Sequence, residues 1–204
     1  MIRASKFISI ILHPLVMPLL GIVVLFYSGS YLSFMPEALK RMIMLIVATG
    51  MVLLPLSLIP IYMYRKLLSN IEFTKRNERF IPLLITTILY YLTFLILKKI
   101  PISGLIIGMI GSATISLFVL AVISIKYNIS LHAAGAAGLF GFLLAISLRL
   151  GLFSPISLYG SIALAGLAGT ARLEQNAHKP SEVYLGYLTG FILCFVFNYY
   201  YRIQ

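Results

Sequence analysis

Apolar residues fall along this chain in long unbroken blocks, not in amphipathic stripes. The blocks cover 7–27, 41–64, 80–97, 102–125, 131–149, 153–171 and 183–201. A helix of roughly 20 residues, rising about 1.5 Å per residue, crosses the hydrocarbon core of a bilayer. Blocks of this length therefore predict spanning helices. A β-barrel would instead show segments of about 10 residues alternating apolar and polar. Only 28–40 and 65–79 form longer connections. Lys98-Lys99 with Pro101 predicts a tight turn between the third and fourth spans, and Gly151 with Pro155 another between the fifth and sixth. Two surfaces are built for close helix contact: Gly104, Gly108 and Gly111 on the fourth span, and the run Ala133 to Gly138 opening the fifth.

Arg3 and Lys6 precede the first block, as in a signal peptide. The block holds His13, Pro14 and Pro18, however, and ends at Phe26-Tyr27 without a small-x-small site. It reads as an uncleaved first span. With no low-complexity segment and no internal repeat, residues 1–204 read as one integral membrane domain.

Composition agrees. Of 204 residues, 61% are hydrophobic and 10% charged, against about 25% charged in soluble domains. The net charge is +11, from sixteen Lys and Arg against five Glu. In a soluble chain that excess would point to nucleic acid. Here the basic residues sit at block ends and in short loops, so they face lipid headgroups or an anionic ligand. Cys194 is the single cysteine, which excludes an intramolecular disulfide and a thiolate metal cluster.

Seven alternating spans sort the loops. The N-terminus and loops 65–79, 126–130 and 172–182 share one side, side A. Loops 28–40, 98–101, 150–152 and the C-terminus share side B. By that parity side A holds ten Lys or Arg and side B six. Four of the ten are candidate ligands, so the positive-inside rule leaves the orientation open.

Three predicted helix entrances open on side A. The first follows Glu72-Phe73-Thr74-Lys75-Arg76-Asn77-Glu78-Arg79 and starts near Pro82, a residue favoured in a first helical turn. The second carries Ser130 as the expected N-cap and His132 in the first turn. The third lies near Pro180, with His178 just outside the helix and Glu182 in its first turn, close enough for carboxylate and imidazole to meet. Helix N-termini present unpaired N–H groups and partial positive charge, which suits phosphate. Lys75, Arg76, Arg79 and Arg172 add cations. Two histidines and a carboxylate complete an inventory for phosphoryl chemistry: a nucleophile, an orienting group and an acid–base. The same His–His–Glu set could ligate a metal, but no tight His-x-x-x-His spacing favours one.

These blocks resemble the type 2 phosphatidic acid phosphatase family, membrane lipid phosphatases related to the vanadium haloperoxidases. The family pattern is Lys-x6-Arg-Pro, then Pro-Ser-Gly-His, then Ser-Arg-x5-His-x3-Asp. Arg172, His178 and Glu182 reproduce the third spacing, with Ala171 for Ser and Glu182 for Asp. Ser130 and His132 keep the Ser-x-His of the second, with Ile129 for Pro and Leu131 for Gly. The first departs most: Phe80 follows Arg79, and Glu72 stands where Lys is expected.

The resemblance implies an all-α polytopic bundle of six to seven spans with a phosphatidic acid phosphatase type 2-like core, in the cell membrane. It implies a lipid phosphate or lipid diphosphate substrate, a phosphohistidine intermediate, no cofactor, no metal and no nucleic-acid partner. His178 is then the expected nucleophile, Glu182 its orienting carboxylate and His132 the acid–base. Arg172, Arg79, Lys75 or Arg76, and Ser130 are the expected phosphate ligands. A non-hydrolytic lipid-phosphate binder, a phosphotransferase, or a transport or structural protein are the competing readings. The span interiors carry almost no ionisable residues, which speaks against a transporter.

Overall fold

The computed structural model describes residues 2–65, 78–151 and 155–201. All regular structure among them is helical, and seven stretches are long and apolar enough to cross a membrane. The protein is an all-α polytopic bundle.

The first two spans are interrupted and the other five are single helices. Helix α1 (Ile2–Ile11) stops where Pro14 denies the chain a backbone donor. A 3-10 turn (Pro14–Val16) follows, and α2 (Met17–Tyr27) resumes the crossing. The predicted first span is present as Ala4–Tyr27, and it makes the crossing as two helices broken at His13-Pro14. The second span pairs α3 (Glu37–Val47) with α4 (Leu54–Tyr64) through a π-helical segment at Ala48–Leu53. The remaining crossings are α5 (Phe80–Lys98), α6 (Gly104–Ser124), α7 (Leu131–Leu150), α8 (Pro155–Glu174) and α9 (Pro180–Tyr200).

Without water in the bilayer, helices gain little from hydrophobic burial and associate through close packing. The α7–α9 pair shows how this sequence achieves it. A Cβ built on Gly186 would lie 2.5 Å from the Ser130 carbonyl oxygen, and one built on Gly190 only 2.0 Å from that of Ala134. Only glycine lets these backbones approach so nearly. Ala133, Ala134 and Gly138 supply the facing surface, as their run in the sequence predicts. Around this pair, Phe26, Leu97, Ile106, Ile110 and Leu143 are fully enclosed. Large apolar residues on the outer faces, among them Leu45, Ile88, Phe118, Ile156 and Leu188, remain exposed. A helix apolar on every face belongs in lipid.

Contacts between loops bear out the predicted sorting. On side A, Ser130 N–H donates to the Glu182 carbonyl at 3.1 Å. Gln175 reaches back to the first span, donating to the Ser5 carbonyl and to Ser9 Oγ at 2.8 Å each. On side B, Tyr31 and Ser103 share a hydroxyl hydrogen bond of 2.6 Å. Buried Lys40 there donates to the Ser33 carbonyl and pairs with Glu37 at 2.7 Å.

Candidate active site

The three predicted helix entrances do meet, and they enclose a cavity of about 130 Å³. Its polar wall carries Arg79, His132, Arg172 and His178, joined by His13 and Tyr62 from the interrupted spans. Its apolar depth is formed by residues such as Leu83, Met109, Leu139 and Phe142.

His178 lies just before Pro180, which opens α9 in the first-turn position proline favours. Extended backbone at Lys179 (φ −75°, ψ 155°) turns the chain into the helix. Glu182, in the first turn of α9, accepts the Lys179 N–H at 3.1 Å. The same carboxylate oxygen lies 3.0 Å from His178 Nδ1. Nδ1 is also 3.0 Å from the Asn128 carbonyl oxygen. A carbonyl and a carboxylate can only accept, so Nδ1 carries the proton and Nε2 keeps its lone pair. Asn128 adds a second hold, donating from its side-chain amide to Glu182 at 3.3 Å. Burial lowers the His178 pKa. The Glu182 hydrogen bond opposes that shift, while the charges of Arg79 and Arg172 reinforce it. The ring is therefore neutral at neutral pH, with one nitrogen anchored and the other nucleophilic.

Arg79 immediately precedes α5 and is 2% exposed. One of its terminal nitrogens donates to the Ile129 carbonyl at 2.8 Å, tying the first entrance to the second. Burial brings its pKa down to about 10, opposed by the Glu182 charge and assisted by that of Arg172. It remains a cation at neutral pH. Arg172, in the last turn of α8, is equally buried and donates to Gln175 Oε1 at 3.3 Å. Both guanidinium groups line the cavity and bring fixed positive charge and only N–H donors to its wall.

His132 Nε2 lies 3.1 Å from the Ser9 carbonyl. By the same reasoning Nε2 bears the proton and Nδ1 is the basic nitrogen. Ser130 is buried, and its Oγ accepts the Ala133 N–H at 3.4 Å as the α7 N-cap. It does not line the cavity; it holds the helix end that carries His132. Lys75 and Arg76 lie outside the described residues. Among the described residues no group of three His, Cys, Asp or Glu is placed to hold a metal ion.

Three participants escape the sequence patterns. Asn128 acts partly through its carbonyl, which every residue type has. Tyr62 lies near the end of the second span; its hydroxyl is buried and has no hydrogen-bond partner among the described residues. His13 left a usable signal: an ionisable residue followed by proline within a span. Its ring stands edge-to-face against His132, with centroids 5.4 Å apart.

Fold and site together define an α-helical membrane protein with a cationic, histidine-bearing cavity at one rim. Compared with known proteins, the chain matches no family model, no curated protein and no solved structure.

Proposed function

We propose that the protein is a metal-independent lipid phosphatase, resembling the type 2 phosphatidic acid phosphatases, and hydrolyses a lipid phosphate monoester or diphosphate through a phosphohistidine. The observation that carries this reading is the His178–Glu182 pair. It fixes Nδ1 as the protonated nitrogen and leaves Nε2 nucleophilic, beside two buried arginines. A cation pair with no carboxylate among the described residues lining the cavity suits a phosphoryl anion.

In the first step the Nε2 lone pair attacks phosphorus and the bond to the leaving oxygen breaks. His132 takes the proton of the phosphoryl monoanion on Nδ1 and passes it to that oxygen, and the lipid alcohol, or the lipid monophosphate of a diphosphate substrate, departs. Glu182 stabilises the positive charge that develops on His178. Arg79 and Arg172 hold the phosphoryl oxygens, whose charge is spread in a loose transition state. In the second step neutral His132 accepts a proton from water through Nδ1. The hydroxide attacks phosphorus, the P–N bond breaks and inorganic phosphate leaves. The apolar depth of the cavity takes part of the lipid chain.

The test is phosphate release by purified protein from phosphatidate, phosphatidylglycerol phosphate, a polyprenyl diphosphate and lipid A. His178→Ala should abolish it on whichever substrate the wild type accepts. A His178→Ala protein that still released phosphate at the wild-type rate would sink the assignment. The second reading, a lipid-phosphate binder without turnover, is favoured by the engagement of Ser130 and Arg79 in backbone contacts. It predicts lipid-phosphate binding with no release by the wild type.

A further inference from the structure

We propose that His13 is a third histidine of this site and binds a phosphoryl oxygen as a fixed, neutral N–H donor. The assignment deepens the proposed function and rests on its premise that the cavity takes a phosphoryl group.

His13 sits where the first span breaks. Its Nδ1 accepts the Leu15 N–H at 3.3 Å, which makes His13 the cap of the 3-10 turn Pro14–Val16. That bond requires a lone pair on Nδ1, so the ring proton sits on Nε2. Among the described residues, Nε2–H has no hydrogen-bond partner, and the ring lines the same cavity as Arg79, Arg172, His132 and His178. Protonating Nδ1 would break the cap, so the ring is held as a neutral imidazole. A neutral imidazole whose N–H polarises a substrate oxygen is an established catalytic device.

The division between the two touching histidines supports the role. His132 spends its N–H on the Ser9 carbonyl and keeps a basic nitrogen on a ring that lines the cavity. His13 spends its basic nitrogen on the Leu15 amide and keeps its N–H. One ring takes protons and the other donates a hydrogen bond without losing its proton. The Tyr62 hydroxyl is a second donor on the cavity wall with no partner among the described residues, and it is fully buried. An unmet buried donor is costly, and a phosphoryl group with several acceptor oxygens would satisfy the Tyr62 hydroxyl and the His13 N–H together.

Two isosteric substitutions separate cap from ligand. His13→Asn keeps an acceptor for the Leu15 N–H but loses the distal donor. His13→Gln keeps a distal N–H but loses the cap acceptor. The probe is inorganic phosphate, titrated into purified full-length protein in detergent. The readout is the temperature at which Cys194 becomes reactive to a thiol dye, complemented by kcat and KM on any lipid phosphate the wild type turns over.

Loss of one hydrogen bond to a charged group should weaken phosphate binding about 10- to 100-fold in His13→Asn. Its transition temperature without phosphate should stay at the wild-type value. His13→Gln should show the reverse: a lower transition temperature without phosphate, and phosphate affinity closer to wild type. A purely structural His13 would leave phosphate affinity unchanged in His13→Asn, and that result overturns the assignment. So does a wild type that shows no phosphate-dependent shift. His13-dependent phosphate binding without any lipid-phosphate turnover would remove the hydrolase reading and leave His13 as a phosphate ligand. Turnover and phosphate binding both unaffected by His13→Asn would do the opposite.

Discussion

Gly190→Ala tests the link between helix packing and the site most directly. A Cβ at this position would lie 2.0 Å from the Ala134 carbonyl oxygen, 2.7 Å from its carbon and 2.8 Å from its Cα. All three are backbone atoms of α7, so no side-chain rotation relieves the clash. An ordinary contact of about 3.4 Å requires the helices to part by roughly 1.4 Å. One turn earlier, Gly186 faces the Ser130 carbonyl. The separation therefore falls close to the ends of α7 and α9 that carry His132 and His178. A misplacement of about 1 Å between reacting groups costs on the order of 100-fold in rate. Overpacking costs about 1–3 kcal/mol, partly offset by the better helix propensity of alanine, about 1 kcal/mol.

Gly190→Ala should therefore lower kcat/KM for phosphate release at least about 100-fold, with a modest fall in the temperature at which the Cys194 thiol is exposed. Cys194 is a suitable reporter. It is buried one turn beyond Gly190, with Sγ 3.1 Å from where a Gly138 Cβ would stand. Gly160→Ala on α8 is the control, because its Cβ would meet nothing within 4 Å. A Gly190→Ala protein with wild-type turnover and wild-type thiol protection would refute the claim that this contact sets the geometry of the site.

Replacing Glu182 with Gln removes the charge that opposes an imidazolium or phosphohistidine on His178. The expected loss is about 10- to 100-fold in kcat, measured as phosphate release. The pH profile carries a sign as well. His178 must be neutral to attack, and its pKa is lowered in the folded protein, so activity falls as pH drops through a value below 6.5. Stability follows the same direction: the contribution of His178 is present above its unfolded pKa and is lost as pH falls. Glu182 raises that pKa, so Glu182→Gln should move the acidic limb of residual activity to lower pH; an upward shift would contradict the pairing. Cys194 should resist a small maleimide in the native protein and react fully after denaturation, as mass spectrometry would register. In a Cys194→Ala background, cysteines at exposed Lys179 and Tyr127 should react with an impermeant maleimide from one side of the membrane, and a cysteine at Lys99 from the other. Labelling of all three from one side would break the seven-span parity.

The sequence alone determined the crossings, because a bilayer imposes a length and an apolarity that residue blocks display directly. The entrances of α5, α7 and α9 were legible for a related reason. Pro82, Pro180 and Ser130 restrict the backbone locally, and their effect does not wait for a tertiary partner. Parity then places His132, His178, Arg79 and Arg172 on one side, and the i,i+4 spacing of His178 and Glu182 allows their contact.

What the sequence could not decide depended on approach between helices. The seat of His132 against the Ser9 carbonyl needs the first span to lie beside α7. The hold of Asn128 on His178 is a main-chain contact, with no residue-type signature. Ser130 had two possible uses, cap or ligand, and the fold turned its hydroxyl to the helix end. The break at His13-Pro14 was written in the chain, but its meaning was not. Proline interrupts a helix wherever it occurs; only packing against α7 turned this interruption toward the cavity and set His13 against His132.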